Sequence, residues 1–155
     1  MQIKHKYKGF TLIELLVVIA IIGLLSTMAV VALNNARVKS RDAKRISDIK
    51  QMQTALELYF ADNDNYPVAA SAVTLGATTT GVLCNIAAGF GNATGCAGET
   101  IYMGKVPANP TPNGAAYTYL AVGTDDYALT FTLEEKTGEL AAGAATASAT
   151  GIVND

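Results

Sequence analysis

The sequence predicts an α+β fold, in which one long N-terminal helix packs on a small antiparallel sheet. Residues 15–36 are 22 consecutive residues without an ionisable side chain, a run long enough for an apolar helix. Apolar residues then recur at spacings of three and four from Ala43 to Phe60, the pattern of a helix with one buried face. Residues 117–133 alternate between apolar and polar types, which indicates paired strands.

The composition argues against most enzyme classes. The 155 residues suffice for one domain and hardly for a second. His5 is the only histidine, whereas general acid–base catalysis and zinc binding lean on histidine. Two cysteines are too few for a structural zinc site made of thiolates. We therefore exclude most hydrolases, transferases and metalloenzymes.

Charge is sorted along the chain. The net charge is +3 over residues 1–9, −1 over residues 10–36, +4 over residues 37–50 and −8 over residues 51–155. This distribution predicts one part that meets a membrane or the cytoplasm and another part that stays solvated elsewhere.

The apolar run is long enough to cross a hydrocarbon core of about 30 Å as a helix. One interpretation is a secretory signal peptide with small residues at Thr27 and Ala29, which would make the chain a secreted binding protein. Glu14 argues against it, because a carboxylate at the edge of an apolar segment costs about 2–3 kcal/mol on insertion and usually marks a specific partner.

The order of residues from Lys8 to Glu14, KGFTLIE, resembles the N-terminal motif of type IV pilins and of type II secretion pseudopilins. The resemblance implies that prepilin peptidase removes residues 1–9 as a leader by cleaving between Gly9 and Phe10. It also implies N-methylation of Phe10, and assembly into a filament by an ATPase and a platform protein. The chain would then be a structural subunit that is not an enzyme and that binds no metal or cofactor. Many members have a proline where this chain has Val31, so no kink is expected there.

Glu14 is expected to set the register between subunits. Cleavage creates an α-amine on Phe10, and packing of copies side by side would place the carboxylate of one chain near the amine of its neighbour. Such a pair offsets its desolvation cost only when both partners are present. The alternative is a carboxylate that reaches the lipid headgroups.

Beyond the membrane, residues 37–66 are predicted to continue the helix in amphipathic form. No Gly or Pro interrupts the chain before the stop signal at Asp62–Pro67, so residues 10–61 would form a helix of about 78 Å. The basic residues at 37–50 would suit nucleic acid or anionic lipid. A solvated or subunit-facing helix surface is the favoured interpretation of this run.

Residues 67–155 are predicted to form the globular head. Residues 117–122 and 127–133 should pair as a hairpin with a four-residue loop, and a short third strand is expected at 139–141. Three prolines make residues 105–112 an extended loop. The stretches 69–81 and 141–151, rich in Ala, Thr, Ser and Gly, are expected to be loop or flexible tail.

Cys84 and Cys96 are expected to form a disulfide, because an even pair in an extracytoplasmic protein is typically oxidised. Two free buried thiols are the alternative. Asn92 begins an Asn-Ala-Thr glycosylation sequon within the loop that they would close.

We predict, then, the structural subunit of a type IV pilus-like filament. Copies of the chain would be stored in the bacterial cytoplasmic membrane as single-pass proteins and would then form a cell-surface or periplasm-spanning filament. A type II secretion pseudopilin is the alternative within the family.

Overall fold

The computed structural model describes residues 9–155, so most of the predicted leader lies outside the described residues. One helix, α1, is followed by eight strands. The elements in chain order are α1 (Leu12–Asn63), β1 (Val73–Thr74), β2 (Val82–Cys84), β3 (Phe90–Gly91), β4 (Ile101–Met103), β5 (Thr118–Val122), β6 (Asp126–Leu133), β7 (Gly143–Ser148) and β8 (Gly151–Asn154). The predicted α+β class is confirmed.

The chain divides into two units, one ending at Arg37 and one running from Val38 to Asp155. In the first unit, the large apolar side chains of α1 between Leu12 and Leu33 are 45–76% exposed. The helix continues through Val31 without interruption. An apolar helix that buries nothing of its own chain needs lipid or other helices around it.

In the second unit, α1 presents one buried face. Its apolar members are Ile49, Met52, Ala55, Leu56 and Tyr59. Three charged residues share that face and are also buried, namely Asp42, Arg45 and Asp48. The apolar spacing alone did not predict that Asp48 would be buried on this face.

The helix ends one turn before the proline of the stop signal. Asp64 adopts the left-handed conformation, with φ of 53°, and its N–H donates to the carbonyl of Phe60 at 2.8 Å. Aspartate tolerates this conformation better than most residues do, and it closes helices in the same way as a C-terminal glycine.

Two antiparallel sheets complete the second unit. The larger has the strand order β1-β5-β6-β7-β8, and the smaller has the order β3-β2-β4. Inward-facing residues of β6 (Tyr127, Leu129, Phe131, Leu133) are all at most 2% exposed. They form one core with the buried face of α1.

The predicted hairpin is present as β5 and β6, with a loop one residue shorter than expected because Asp126 pairs with Val122. The third strand was predicted in the wrong place. Only an isolated bridge, Thr137 to Leu140, occurs there, and the strand that pairs with β6 is β7, Gly143–Ser148.

The expectation of a flexible tail at residues 141–151 was also wrong, because β7 and the start of β8 lie in it. Ala145 and Ala147 are fully buried. Alanine has low strand propensity, and packing overrides that preference here.

Candidate processing and assembly site

Gly9 and Phe10 precede the first turn of α1 and are exposed. Phe10 is 75% exposed, and a Cβ added to Gly9 would meet nothing within 4 Å. The bond between them is therefore open to a protease. Among residues 9–155, a Cβ on Gly9 would clash with nothing.

Thr11 and Glu14 form a reciprocal cap at the N-terminus of α1. The Thr11 N–H and hydroxyl both donate to Oε2 of Glu14, at 2.9 and 2.7 Å, and the Glu14 N–H donates back to the Thr11 hydroxyl at 3.3 Å. This is the capping box, in which a Thr and a Glu three residues apart satisfy unpaired backbone donors. Thr11 was not singled out from the sequence, although the spacing Thr-x-x-Glu is the usual signal.

The segment that follows the cap has the length and hydropathy of a membrane span. Mean hydropathy over its most apolar 18 residues is 2.8, and none of that window is buried within the chain. Phe10, Ile13 and Val17 line a shallow groove beside Glu14. The sequence motif thus brings Phe10 and Glu14 to the same side of the helix start.

A charged cluster lies at the start of the second unit; we call it the Arg45 network. It comprises Arg41, Asp42, Arg45, Asn109, Asn113 and Glu134. Arg45 and Asp42 are fully buried one turn apart on α1, and the guanidinium donates to Oδ1 of Asp42 at 2.6 Å. Asp42 in turn accepts the N–H groups of Glu134 and Glu135, at 3.0 and 2.8 Å, and so binds the end of β6.

The Glu134 carboxylate accepts hydrogen bonds from both arginines. Arg41 donates to its two carboxylate oxygens at 2.7 and 2.6 Å, and Arg45 donates to Oε1 at 2.7 Å. The hydrogen bonds from Arg41, followed by those from Asn113 and Arg45, hold the pKa of Glu134 well below its usual range. The same pair raises the pKa of Arg41. Two cations and two anions leave the network neutral.

The proline-rich loop closes the network. Arg45 donates to Oδ1 of Asn109 at 2.8 Å, to the carbonyl of Pro110 at 3.2 Å and to the carbonyl of Asn113. Gly114 has φ of 94°, and a Cβ there would lie 3.0 Å from the guanidinium. Residues 105–112 contain no helix or strand, as predicted. The sequence of this loop did not predict that it would bind a buried arginine.

The Arg45 network bears on the basic run at 37–50. Arg41 is engaged in it and half-buried, and Arg45 is fully buried. Two of the six cations in the run are thus committed within the chain, which weakens the case for a phosphate-binding surface.

Asp48 gives a pH-dependent prediction. Burial raises the pKa of this carboxyl, while the Tyr117 hydroxyl, which donates to it at 3.2 Å, and Lys44 oppose the rise. The folded state therefore binds the proton more tightly than the unfolded state does, so the free energy of unfolding falls as pH rises through and above the ordinary carboxyl range. We expect Asp48→Asn to unfold like the wild type near pH 4 and at higher urea concentration near pH 7. A variant that loses stability at pH 7 would contradict this.

The predicted disulfide is confirmed. Cys84 and Cys96 are bonded, with their Cα atoms 5.8 Å apart, and they form a small buried cluster with Val82. Asn92, of the glycosylation sequon, is exposed in the loop that they close.

Replacing both cysteines by alanine is expected to lower the free energy of unfolding by about 3 kcal/mol, because the bridge restricts a loop of 12 residues in the unfolded chain. Urea unfolding of the double variant and of the reduced wild type should agree. Equal stability of the oxidised wild type and the variant would refute the estimate.

No cluster of three or more His, Cys, Asp or Glu residues able to hold a metal occurs among residues 9–155.

The comparisons with known proteins agree with the geometry of the helix start. Residues 4–30 match the family model described as the prokaryotic N-terminal methylation motif. The chain is 42% identical over 67 residues to type II secretion system core protein G of Escherichia coli K12, which covers 43% of this chain and 46% of that protein. This N-terminal segment is similar to that of type IV pilins and pseudopilins.

Both branches of this family are among the relatives. The core protein G of Aeromonas hydrophila is 41% identical over 41% of this chain and 45% of its own length. The type IV major fimbrial protein FimA of Dichelobacter nodosus is 42% identical over 38% of each chain. The chain therefore spans less than half the length of the curated relatives that it matches. No solved structure matches it significantly.

Proposed function

We propose that this chain is the structural subunit of a type IV pilus-like filament. The observation that carries the proposal is the first unit of α1, whose apolar side chains are all exposed while its N-terminus carries a capped carboxylate. Such a helix is stable in lipid and, after extraction from lipid, among copies of itself. Residues 10–36 would be the membrane and filament-core segment, and residues 67–155 the head.

Processing would prepare the helix for assembly. Cleavage between Gly9 and Phe10 removes three lysines and leaves an α-amine on an exposed aromatic residue. Methylation of that amine keeps its ability to carry a positive charge. Glu14 lies one turn away, and the α-amine of a neighbouring copy is the cation that would compensate its burial among packed helices.

Isolation of the chain from its native cells tests the proposal. Intact mass and N-terminal sequencing should give a mature chain that begins at N-methylated Phe10, with residues 1–9 absent. A start near Ala29 would instead support a secreted protein with an ordinary signal peptide. An unprocessed Met1 would overturn the proposal.

A pseudopilin of type II secretion is the second candidate, supported by the relatives named as core proteins of that system. A deletion strain separates the two. Loss of surface filaments in electron micrographs with normal release of secreted proteins supports the pilus, and the reverse pattern supports the pseudopilus.

The partners follow from this function. They would be prepilin peptidase, an assembly ATPase, a platform protein, membrane lipid before assembly, and other copies of this chain. The proposed role of this chain is structural and involves no catalysis.

A further inference from the structure

Asn113 and Gly114 form a chemically reactive pair within the Arg45 network. Asn113 is the one asparagine of the chain that is followed by glycine. At such a pair, the backbone nitrogen of the glycine reaches the side-chain carbon of the asparagine most readily, because glycine has no Cβ to shield that nitrogen. Asn113 is also exposed, in a segment without helix or strand, so water has access to it.

The reaction open to this pair is deamidation, with water as the co-reactant. The bond from the Gly114 nitrogen to Cγ of Asn113 forms while the bond from Cγ to Nδ2 breaks. Nδ2 leaves as ammonia and takes the proton of the Gly114 N–H with it. Water then opens the cyclic imide at either carbonyl and leaves aspartate or isoaspartate. Overall, the amide and a water molecule become a carboxylate and an ammonium ion.

The Arg45 network restrains both reacting groups. Nδ2 of Asn113 donates to Oε2 of Glu134 at 2.8 Å, which fixes the side chain. The Asn113 carbonyl accepts from Arg45 and from Nδ2 of Asn109 at 3.0 Å. Nδ2 of Asn109 also donates to the carbonyl of Gly114 at 3.0 Å. Ring closure requires a near-attack geometry of Cγ and the next nitrogen, and these hydrogen bonds oppose the rotations that would bring it about.

The network also requires the two residue types that make the pair reactive. Gly114 has φ of 94°, which side chains other than that of glycine disfavour. A Cβ there would lie 2.9 Å from Nδ2 of Asn109 and 3.0 Å from the Arg45 guanidinium. Position 113 needs an amide, because a carboxylate could not donate to Glu134. The closed network and the reactive pair are therefore linked by the same geometry.

We propose that Asn113 is a site of spontaneous deamidation and that the Arg45 network controls its rate. The reaction proceeds from the loop whose network contacts have opened, so its rate follows the fraction of molecules that are locally open. The product keeps the loop open, because a carboxylate at position 113 faces Glu134 where a donor was and adds a negative charge to a neutral network. This site does not depend on the filament function.

Ageing of the purified full chain in detergent, at neutral pH in water labelled with heavy oxygen, tests the proposal. Each carboxyl formed takes up the label, and peptide mass spectrometry locates it. In the folded wild type we expect slow modification at Asn113 and none at Asn92, which is exposed but is followed by alanine. In the chain unfolded by urea, modification at Asn113 should be at least about tenfold faster, because no network remains.

Two variants that loosen the network provide the second measurement. Arg45→Met removes a donor to the Asn113 carbonyl and should speed modification of Asn113 about tenfold. Lys44→Met, at the exposed neighbouring position, should leave the rate unchanged. Asn109→Ala serves if Arg45→Met does not fold, because it frees the carbonyls of Asn113 and Gly114 and leaves the ion pairs in place. It should also speed the reaction.

Replacing both cysteines by alanine distinguishes local opening from global unfolding. The disulfide lies in a separate buried cluster, so this variant should lose global stability and still modify Asn113 at nearly the rate of the wild type. A rate as high as that of Arg45→Met would overturn control by the network, as would equal rates in the wild type and both loosened variants. An unmodified Asn113 in the unfolded chain would overturn the site itself.

Asn113→Asp tests the effect of the product. We expect this variant to unfold at a lower urea concentration than Asn113→Ala, which loses the donor to Glu134 without gaining a charge. Equal midpoints for the two variants would overturn the role of the new charge in keeping the loop open.

Discussion

Glu14→Gln is expected to reduce incorporation of the chain into filaments by about a hundredfold or more, while its level in the membrane stays unchanged. In the proposed assembly, Glu14 lies among packed apolar helices and faces the α-amine of a neighbouring copy. Removing one member of a buried ion pair leaves the other charge uncompensated, which is far more costly than the loss of an exposed pair.

Glutamine is the informative replacement because it separates two roles of Glu14. The side chain caps α1 by accepting from Thr11 at 2.7 and 2.9 Å. Glutamine also serves at this position of a capping box, so Glu14→Gln keeps the cap and removes the charge. Glu14→Ala removes both. If charge governs assembly, the two variants fail equally.

Thr11→Ala is the matched control, since it removes the hydroxyl partner of the cap and keeps the carboxylate. Loss of a cap destabilises a helix by about 1 kcal/mol, which a helix surrounded by lipid tolerates. We expect this variant to assemble at more than half of the wild-type level, as measured by immunoblot of sheared and membrane fractions. Normal incorporation of Glu14→Gln would contradict the register role.

The parts of the fold that the sequence predicts are those governed by local rules. Helix α1 has a continuous pattern and a stop signal, and β6 alternates cleanly along its length, so both were predicted nearly at their observed bounds. Strand β7 was missed because its buried members are alanines. Their fit depends on how closely the sheet approaches neighbouring elements, which no local pattern records.

The helix start follows local sequence rules, whereas the Arg45 network depends on tertiary packing. Glu14 was predicted from its sequence motif, and its cap partner Thr11 lies three residues away at the usual Thr-x-x-Glu spacing. Arg45 bonds to Asn109 and Glu134, at separations of 64 and 89 residues, and a charged residue on an amphipathic helix is normally solvated. Its burial depends on acceptors brought together by two distant loops, so it emerges only from the tertiary structure.

Arg45→Met is expected to lower the free energy of unfolding of the second unit by about 3–5 kcal/mol, close to the total stability of a marginal domain. Methionine fills much of the volume but leaves buried Asp42 without its cation and Asn109 without its donor. The full chain in detergent can be unfolded by urea and followed by the near-ultraviolet dichroism of its tyrosines. Lys44→Met, at the exposed neighbouring position, should change the result by less than about 0.5 kcal/mol.

Arg45→Lys distinguishes charge from geometry. Lysine keeps the positive charge but has three donors on one nitrogen, whereas Arg45 directs its planar guanidinium at acceptors on α1, on the loop after β6 and on the proline-rich loop. We expect Arg45→Lys to lower the free energy of unfolding, but by less than Arg45→Met does. Equal stability of Arg45→Lys and the wild type would mean that charge alone holds the network together.

Acid should weaken the same contacts. The pKa of Glu134 is lowered by its hydrogen bonds, first those from Arg41, so its contribution is complete above the ordinary carboxyl pKa and is lost as pH falls through the lowered value. Arg45→Met removes one of those donors and should flatten the stability profile below pH 4.5.

A buried pair is often replaceable by apolar residues without loss, but Asp42 here also binds two backbone N–H groups at the end of β6. An apolar substitute cannot accept those hydrogen bonds. We therefore expect that replacing the whole network by apolar residues also lowers the free energy of unfolding, as replacing one member does.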